Sequence, residues 1–272
     1  MSEADSILSE LKELRGKIIF RVPNGTYVSP FADDETRQLR LWTQHFGLLR
    51  PKAVYQALSR NLGETQIGLP VESPSNIYLH QRDGANQCEI LMETSVPLDS
   101  TQYFNIINVN VSPQQGISTG KKALANLLDF AQTQAPNIVS INLDTDAIGG
   151  YAWAKFGFTP GEADWQELTK LLGQKHQKVA AQLTSDENGA ITRMLACGDP
   201  HIAWVLSDLA KPVVDPANSE RKSLGKYLLL DTKWLGSLHL NDSSAIQRFK
   251  GYIEKLSLPL RPASAVTAGV SY

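Results

Sequence analysis

Phe104-Asn-Ile-Ile-Asn-Val-Asn-Val111, followed by Ser112-Pro-Gln-Gln-Gly-Ile-Ser-Thr-Gly120, is the stretch that decides the fold. The first segment reads as an apolar strand, the second as a turn of small residues that opens into a helix. Ile138-Val-Ser-Ile-Asn-Leu143 follows as another strand and leads to Gly149-Gly-Tyr-Ala-Trp-Ala-Lys-Phe-Gly-Phe158. Strand, small-residue turn, helix, strand, helix is an order that presents backbone amides to a phosphorylated ligand. Parity slips inside the first strand. Phe104 and Ile106 share one face, whereas Ile107, Val109 and Val111 share the other, so the strand should carry a β-bulge that re-aims it and frees an amide. The helix after the turn repeats Leu124, Leu127, Leu128 and Ala131 as i, i+3, i+4, i+7. Gly116 and Gly120 let the backbone come close to an anion. Lys121 and Lys122 sit at the helix end whose dipole disfavours cations, a conflict that a bound anion would relieve.

These residues resemble the core of the GNAT family of N-acetyltransferases over residues 65–160. That family's phosphate loop reads Arg/Gln-x-x-Gly-x-Gly/Ala, and Gln115-Gly-Ile-Ser-Thr-Gly120 follows it with Ser118 in place of the first glycine. Trp153-Ala-Lys-Phe-Gly-Phe158 resembles the later signature, an aromatic residue ahead of a terminal Gly-Phe pair. The resemblance implies an α+β fold with a mixed, mostly antiparallel sheet flanked by helices, acyl-CoA N-acyltransferase-like. It also implies acetyl-CoA as the acyl source and an amine, in a small molecule or a protein, as acceptor. Amides near Val109 and Val111 would polarise the thioester carbonyl. Those of Gln115, Gly116, Ile117, Ser118, Thr119 and Gly120 would hold the pyrophosphate. The family's proton-donating tyrosine falls at Trp153, whose indole cannot supply that proton. Tyr151 is the substitute, two residues earlier and about 200° around the helix. Asp146 stands near the position where the family often has asparagine.

A base for the amine is sought on the strand Cys88-Glu-Ile-Leu-Met-Glu-Thr-Ser-Val96, where Glu89 and Glu93 project on one face with Leu91 between them. A solvated strand face explains the same spacing. Two other functional readings stay open. Gly116-Ile-Ser118-Thr-Gly120 spells the nucleophile elbow of serine hydrolases, but four residues separate it from the preceding strand. A binding or structural protein, including a virion component, accounts for Ser118, Trp153 and a large helical addition.

The chain has 272 residues, 42% hydrophobic and 20% charged, with a formal net charge of −2. That balance suits a globular protein and argues against a dedicated nucleic-acid binder. Cys88 and Cys197, the two cysteines, form no metal or disulfide framework and are expected as buried thiols in a reducing compartment. No apolar leader and no run of about 20 apolar residues is present, so the expected location is cytoplasmic, including a virus product made in its host, with no membrane partner. Homo-oligomerisation is open.

Residues 1–160 are expected as the acetyltransferase-like core, 161–220 as a helical insertion, 221–260 as a strand and helix completing the core, and 261–272 as a flexible tail. Residues 3–14 read as an amphipathic helix, 16–22 as a strand, and 33–62 as one or two helices capped by Asp33 and Asp34 and interrupted at Arg50-Pro51. Strands are expected near 65–71, 76–81 and 88–96. Helices are expected over 162–183, with Trp165, Leu168, Leu171 and Leu172 as the apolar set, and over 189–210. Lys170 to Lys178 reads as a solvated basic face, and Pro212, Pro216 and Asn218 as a loop. Tyr227 to Leu230 is expected as a late strand. Trp234 to Asp242 leads to a helix over 243–256.

Overall fold

The structure, a computed structural model, describes residues 2–21, 34–71, 76–83, 86–94, 97, 100–111, 118–145 and 149–257. The chain begins with α1 (Glu3–Glu13), β1 (Ile18–Arg21), α2 (Glu35–Phe46) and α3 (Pro51–Ser59). Local chemistry sets these bounds. Ser2 and Asp5 form a reciprocal capping box on α1, and the Asp34 side chain accepts from Arg37 N at the start of α2. Pro51 opens α3, where a missing N–H costs nothing. Four strands follow: β2 (Glu64–Pro70), β3 (Asn76–Asp83), β4 (Asn86–Glu93) and β5 (Tyr103–Val111). Then come α4 (Ser118–Thr133), β6 (Ser140–Asp144), α5 (Gly149–Lys155) and β7 (Thr159–Pro160).

An eight-stranded sheet runs in the order β1-β2-β3-β4-β5-β6-β10-β7. β10 (Leu235–His239) therefore enters between β6 and β7, antiparallel to both. β1 pairs parallel with β2, and β5 with β6; β2 through β5 are joined antiparallel. The architecture is α+β with a mixed sheet flanked by helices. Ile67, Leu69, Ile77, Leu79, Ile90, Met92, Phe104, Ile106, Ile141, Leu143 and Leu238 are all buried on one face, against which α2, α3, α4 and α10 (Ser243–Ser257) pack. Leu124, Leu127, Leu128 and Ala131 of α4 are buried as their spacing requires, each large apolar side chain contributing about 1.5–3 kcal/mol. The opposite face holds Gln66, Tyr78, His80, Glu89, Leu91, Glu93, Asn105, Asn142 and Ser237, all half-buried.

Between β7 and β10 lie α6 (Glu162–Val179), a 3-10 turn (Ala180–Gln182), α7 (Ser185–Ala196), α8 (Ile202–Ser207), the hairpin β8 (Pro212–Val214) with β9 (Arg221–Ser223), and α9 (Leu224–Leu229). Trp165 donates to Cys197 O at 3.1 Å and Trp204 to Phe158 O at 2.9 Å, locking these helices to each other and to β7's approach. Four expectations fail in this part. Tyr227 to Leu229 are helical, because Ser223 caps α9 by accepting from Lys226 N and the apolar run is buried all round against α6 and α8. A short continuous apolar run cannot distinguish a strand from a buried helix. Pro212 and its neighbours form a hairpin strand, with Pro212 at its first position. Leu171 is 38% exposed, so it falls off the buried stripe that Trp165, Leu168 and Leu172 share. Lys175 is not solvated: its ammonium donates to Leu228 O at 3.1 Å and to Leu230 O and Tyr227 O, capping the C-terminal end of α9.

Cys88 is buried, but Cys197 is exposed at the end of α7, contrary to its apolar sequence context. No helix among the described residues is long and apolar enough to cross a membrane. The expected tail 261–272 lies outside the described residues.

Candidate functional site

β5 carries the bulge that its parity slip demands. Leu91 pairs with Asn108 while Met92 pairs with Ile106, so Ile107 has no cross-strand partner. The extra residue resets the alternation. Phe104 and Ile106 before it, and Val109 after it, now stand on one face with buried Met92 and Ile90. The slip in the sequence is thus a device for keeping a single apolar face through a bend.

The bulge is also where two strands part. β5 and β6 pair from Tyr103–Ser140 to Ile106–Leu143 and, among the described residues, no further. Beyond Ile106, β5 continues to Val111 paired with β4 alone, while Leu143 and Asp144 of β6 stay paired with Gly236 and Leu235 of β10. Among the described residues, 108–111 therefore leave one edge of β5 without a strand neighbour, the polar backbone edge that an extended ligand can pair with. Val109 is half-buried there.

The first turn of α4 is Ser118, Thr119, Gly120 and Lys121. Gln115, Gly116 and Ile117 lie outside the described residues, as do the side chains of Val111 and Ser118. Thr119 and Lys121 are buried, at 9% and 6% exposure. The Lys121 ammonium stands 5.2 Å from the centre of the Tyr252 ring, and burial pulls its pKa down from the usual lysine range. Tyr252 packs edge-on to Phe156 at 4.9 Å. Burial, then the neighbouring Tyr151, push its hydroxyl up. Tyr151 on α5 has the Lys155 ammonium 5.7 Å from its ring, and Lys155 in turn reaches Asp208 at 2.6 Å. Tyr151 is thus grouped with Tyr252 and Lys121 between α4, α5 and α10.

Trp153 joins the same aromatic cluster through Phe156. Its ring packs on Phe156 at 5.7 Å and Phe158 at 5.2 Å, a core role. The Gly-Phe pair has a local explanation too. Gly157 N donates to Ala154 O and Phe158 N to Trp153 O, the two bonds of a Schellman cap, with Gly157 at φ +89°. A Cβ there would stand 2.8 Å from Ala245 O, so only glycine fits between α5 and α10.

Glu89 and Glu93 do share the open face, as their parity predicts, but the register separates their surroundings. Glu93 lies in the row Asn76–Glu93–Asn105–Asn142–Ser237–Thr159, which crosses paired strands without a break. Asn142 Nδ2 donates to Asn105 Oδ1 at 3.3 Å, and Ser237 Oγ to Asn142 Oδ1 at 2.8 Å. Glu89 lies in the row Gln66–His80–Glu89–Asn110. His80 Nδ1 is 3.2 Å from Glu89 Oε2, with the two side chains 21% and 38% exposed.

His80 is the residue that sequence reasoning missed, although a signal for it existed. Asp83-Gly84 marks a turn in this stretch, and the observed pairing Asp83–Asn86 sets the register that brings His80 opposite Glu89. Among the described residues no cluster of His, Cys, Asp and Glu could hold a metal ion. Compared with known proteins, the chain matches no family model, no curated protein and no solved structure.

Proposed function

We propose that the chain is an acyl-CoA-dependent acyltransferase of the acyl-CoA N-acyltransferase type, moving an acetyl group to an amine. The observation that carries this reading is the parting of β5 and β6 at the Ile107 bulge. Among the described residues it leaves the 108–111 backbone without a strand neighbour, shortly before α4 in the chain. The pantetheine amides would extend along that edge, and the backbone at Val109–Val111 would polarise the carbonyl. The first turn of α4 would take the pyrophosphate on its amides, with the 115–117 segment. The donor set fits an anion: Lys121 is a buried cation at the positive end of a helix, and among the described residues its contact is the Tyr252 ring, with no carboxylate. Bound acetyl-CoA supplies an activated carbonyl. The protein supplies position, which is the larger part of the rate in direct transfer.

A second reading is a binding or structural protein, virion components included, that kept this architecture without the chemistry. The packing of Trp153 among Phe156 and Phe158 favours it, because no proton donor occupies that place.

Thermal unfolding with and without acetyl-CoA, up to millimolar concentration, separates the two. Ligand at about 100 times its dissociation constant adds about 2.7 kcal/mol, which raises the midpoint by about 5–10 °C in a chain of this size. The acyltransferase reading expects that rise, and its loss in Gln115→Ala. An unmoved midpoint favours the second reading.

A further inference from the structure

Two carboxylates, Glu89 and Glu93, share the open face of the sheet, and the strand register tells them apart. We infer that Glu89 is the proton acceptor for the incoming amine and that His80 is the positioning residue that holds its carboxylate, the pair standing in the row that ends on the unpaired edge of β5. This assignment rests on the acyltransferase reading and deepens it.

Three observations converge. Glu89 pairs with Asn110, the middle of the Val109–Val111 segment whose backbone would face the carbonyl, and Ile90 pairs with Val109. Glu89 is therefore one inter-strand step, about 5 Å, from the backbone that would hold the thioester. Glu93 pairs with Asn105, on the other side of the bulge, where β5 is still closed by β6. Its row continues through Asn142 and Ser237, which are tied to Asn105 by side-chain hydrogen bonds. The third observation is His80, which stands opposite Glu89 and holds Oε2 at 3.2 Å; among the described residues Oε1 has no partner, so it would meet the amine. Among the described residues no histidine faces Glu93, whose neighbour on β3 is Asn76.

The chemistry balances without a further reactant. A primary ammonium gives one proton to Glu89. The nitrogen lone pair then forms the C–N bond at the thioester carbonyl carbon, the C–S bond breaks, and the second nitrogen proton ends on the departing sulfur. The products are an amide and coenzyme A. The half-buried carboxylates on this face, with Tyr78 beside them, suit a cationic acceptor such as a polyamine or a lysine side chain.

The test uses the full chain, acetyl-CoA and a panel of amines: spermidine, a lysine-containing peptide and an aminoglycoside. Acetylated product is read by mass spectrometry, and the acetyl-CoA-dependent rise in unfolding midpoint is read in parallel. Glu89→Gln, of the same shape, should lower kcat by about 100-fold or more, with KM for acetyl-CoA and the midpoint rise retained. Glu89→Asp should recover part of that loss. His80→Gln should lower kcat by about tenfold, again without moving KM, an effect that a merely structural cross-strand pair would not produce. A loss in Glu93→Gln as large as that in Glu89→Gln overturns the assignment, as does a His80→Gln variant with wild-type kcat. Failure to acetylate any amine while the midpoint still rises overturns the base assignment and leaves the cofactor site standing. An unmoved midpoint overturns the acyltransferase reading itself.

Discussion

The two cysteines show how little a residue's immediate neighbours in sequence say about its exposure. Both lie in apolar contexts, yet Cys88 is buried under the sheet while Cys197 ends α7 in solvent. Burial, and then the charge of Glu89, push the Cys88 thiol up to about 11 from 9.0. In native protein one thiol should react with Ellman's reagent within minutes, and the second only on unfolding; two rapid equivalents would contradict the buried position. The pH dependence has a definite sign. The folded state keeps Cys88 protonated in a range where the unfolded chain ionises, so stability falls as pH rises from about 9 to about 11. Urea midpoints of wild type and Cys88→Ala across that window should converge at the alkaline end.

At the scale of elements, the bulge in β5 makes the sharpest case. Its register implies that removing Ile107 leaves a regular ladder, since Met92–Ile106 and Leu91–Asn108 would become consecutive pairs. Phe104, Ile106 and Val109 would still share one face. Deleting Ile107 should therefore leave secondary structure intact by circular dichroism but abolish the acetyl-CoA-dependent rise in midpoint. An unaltered rise would dissociate the bulge from ligand binding. This element was legible in the sequence because a period of 2 exposes a one-residue slip. The α9 helix was not legible, because an apolar run buried on all sides has no period to read. Caps at Ser2, Asp34 and Thr184 were written locally and appear where the side chains dictate.

For the whole molecule, Arg248 is one of the residues that tie the helical addition to the rest of the chain. Arg248 on α10 donates to Ala154 O at 3.0 Å, Trp204 O at 3.0 Å, Ser207 Oγ at 2.8 Å and Asp208 at 2.8 Å. It thus joins α10, α5 and α8. Arg248→Ala should cost about 2–4 kcal/mol, as several charge-assisted bonds to half-buried groups are lost together. Amide exchange should rise first in α8. A loss under about 0.5 kcal/mol would mean the helices are held by apolar packing alone. Asp208 reports on the same joint. Burial raises its pKa, but the bonds from Arg248 and Lys155 outweigh that and hold it below 3.8. The joint should keep its full strength above about pH 4 and weaken only as pH falls through the folded-state value.

The sequence by itself determined the elements whose signals are local: the caps, the stripe of α4, the parity slip of β5 and the strand–turn–helix order that leads to the open edge. It also placed Glu89 and Glu93 on one face, because strand alternation is a property of the backbone. Only the tertiary structure decided that Glu93 falls where β5 is paired with β6 and Glu89 falls where, among the described residues, β5 is not, and that β10 returns across about 75 residues to lie between β6 and β7. These are register facts. They depend on pairings between distant segments, whose energy comes from cross-strand and same-face neighbours that no short window of sequence contains.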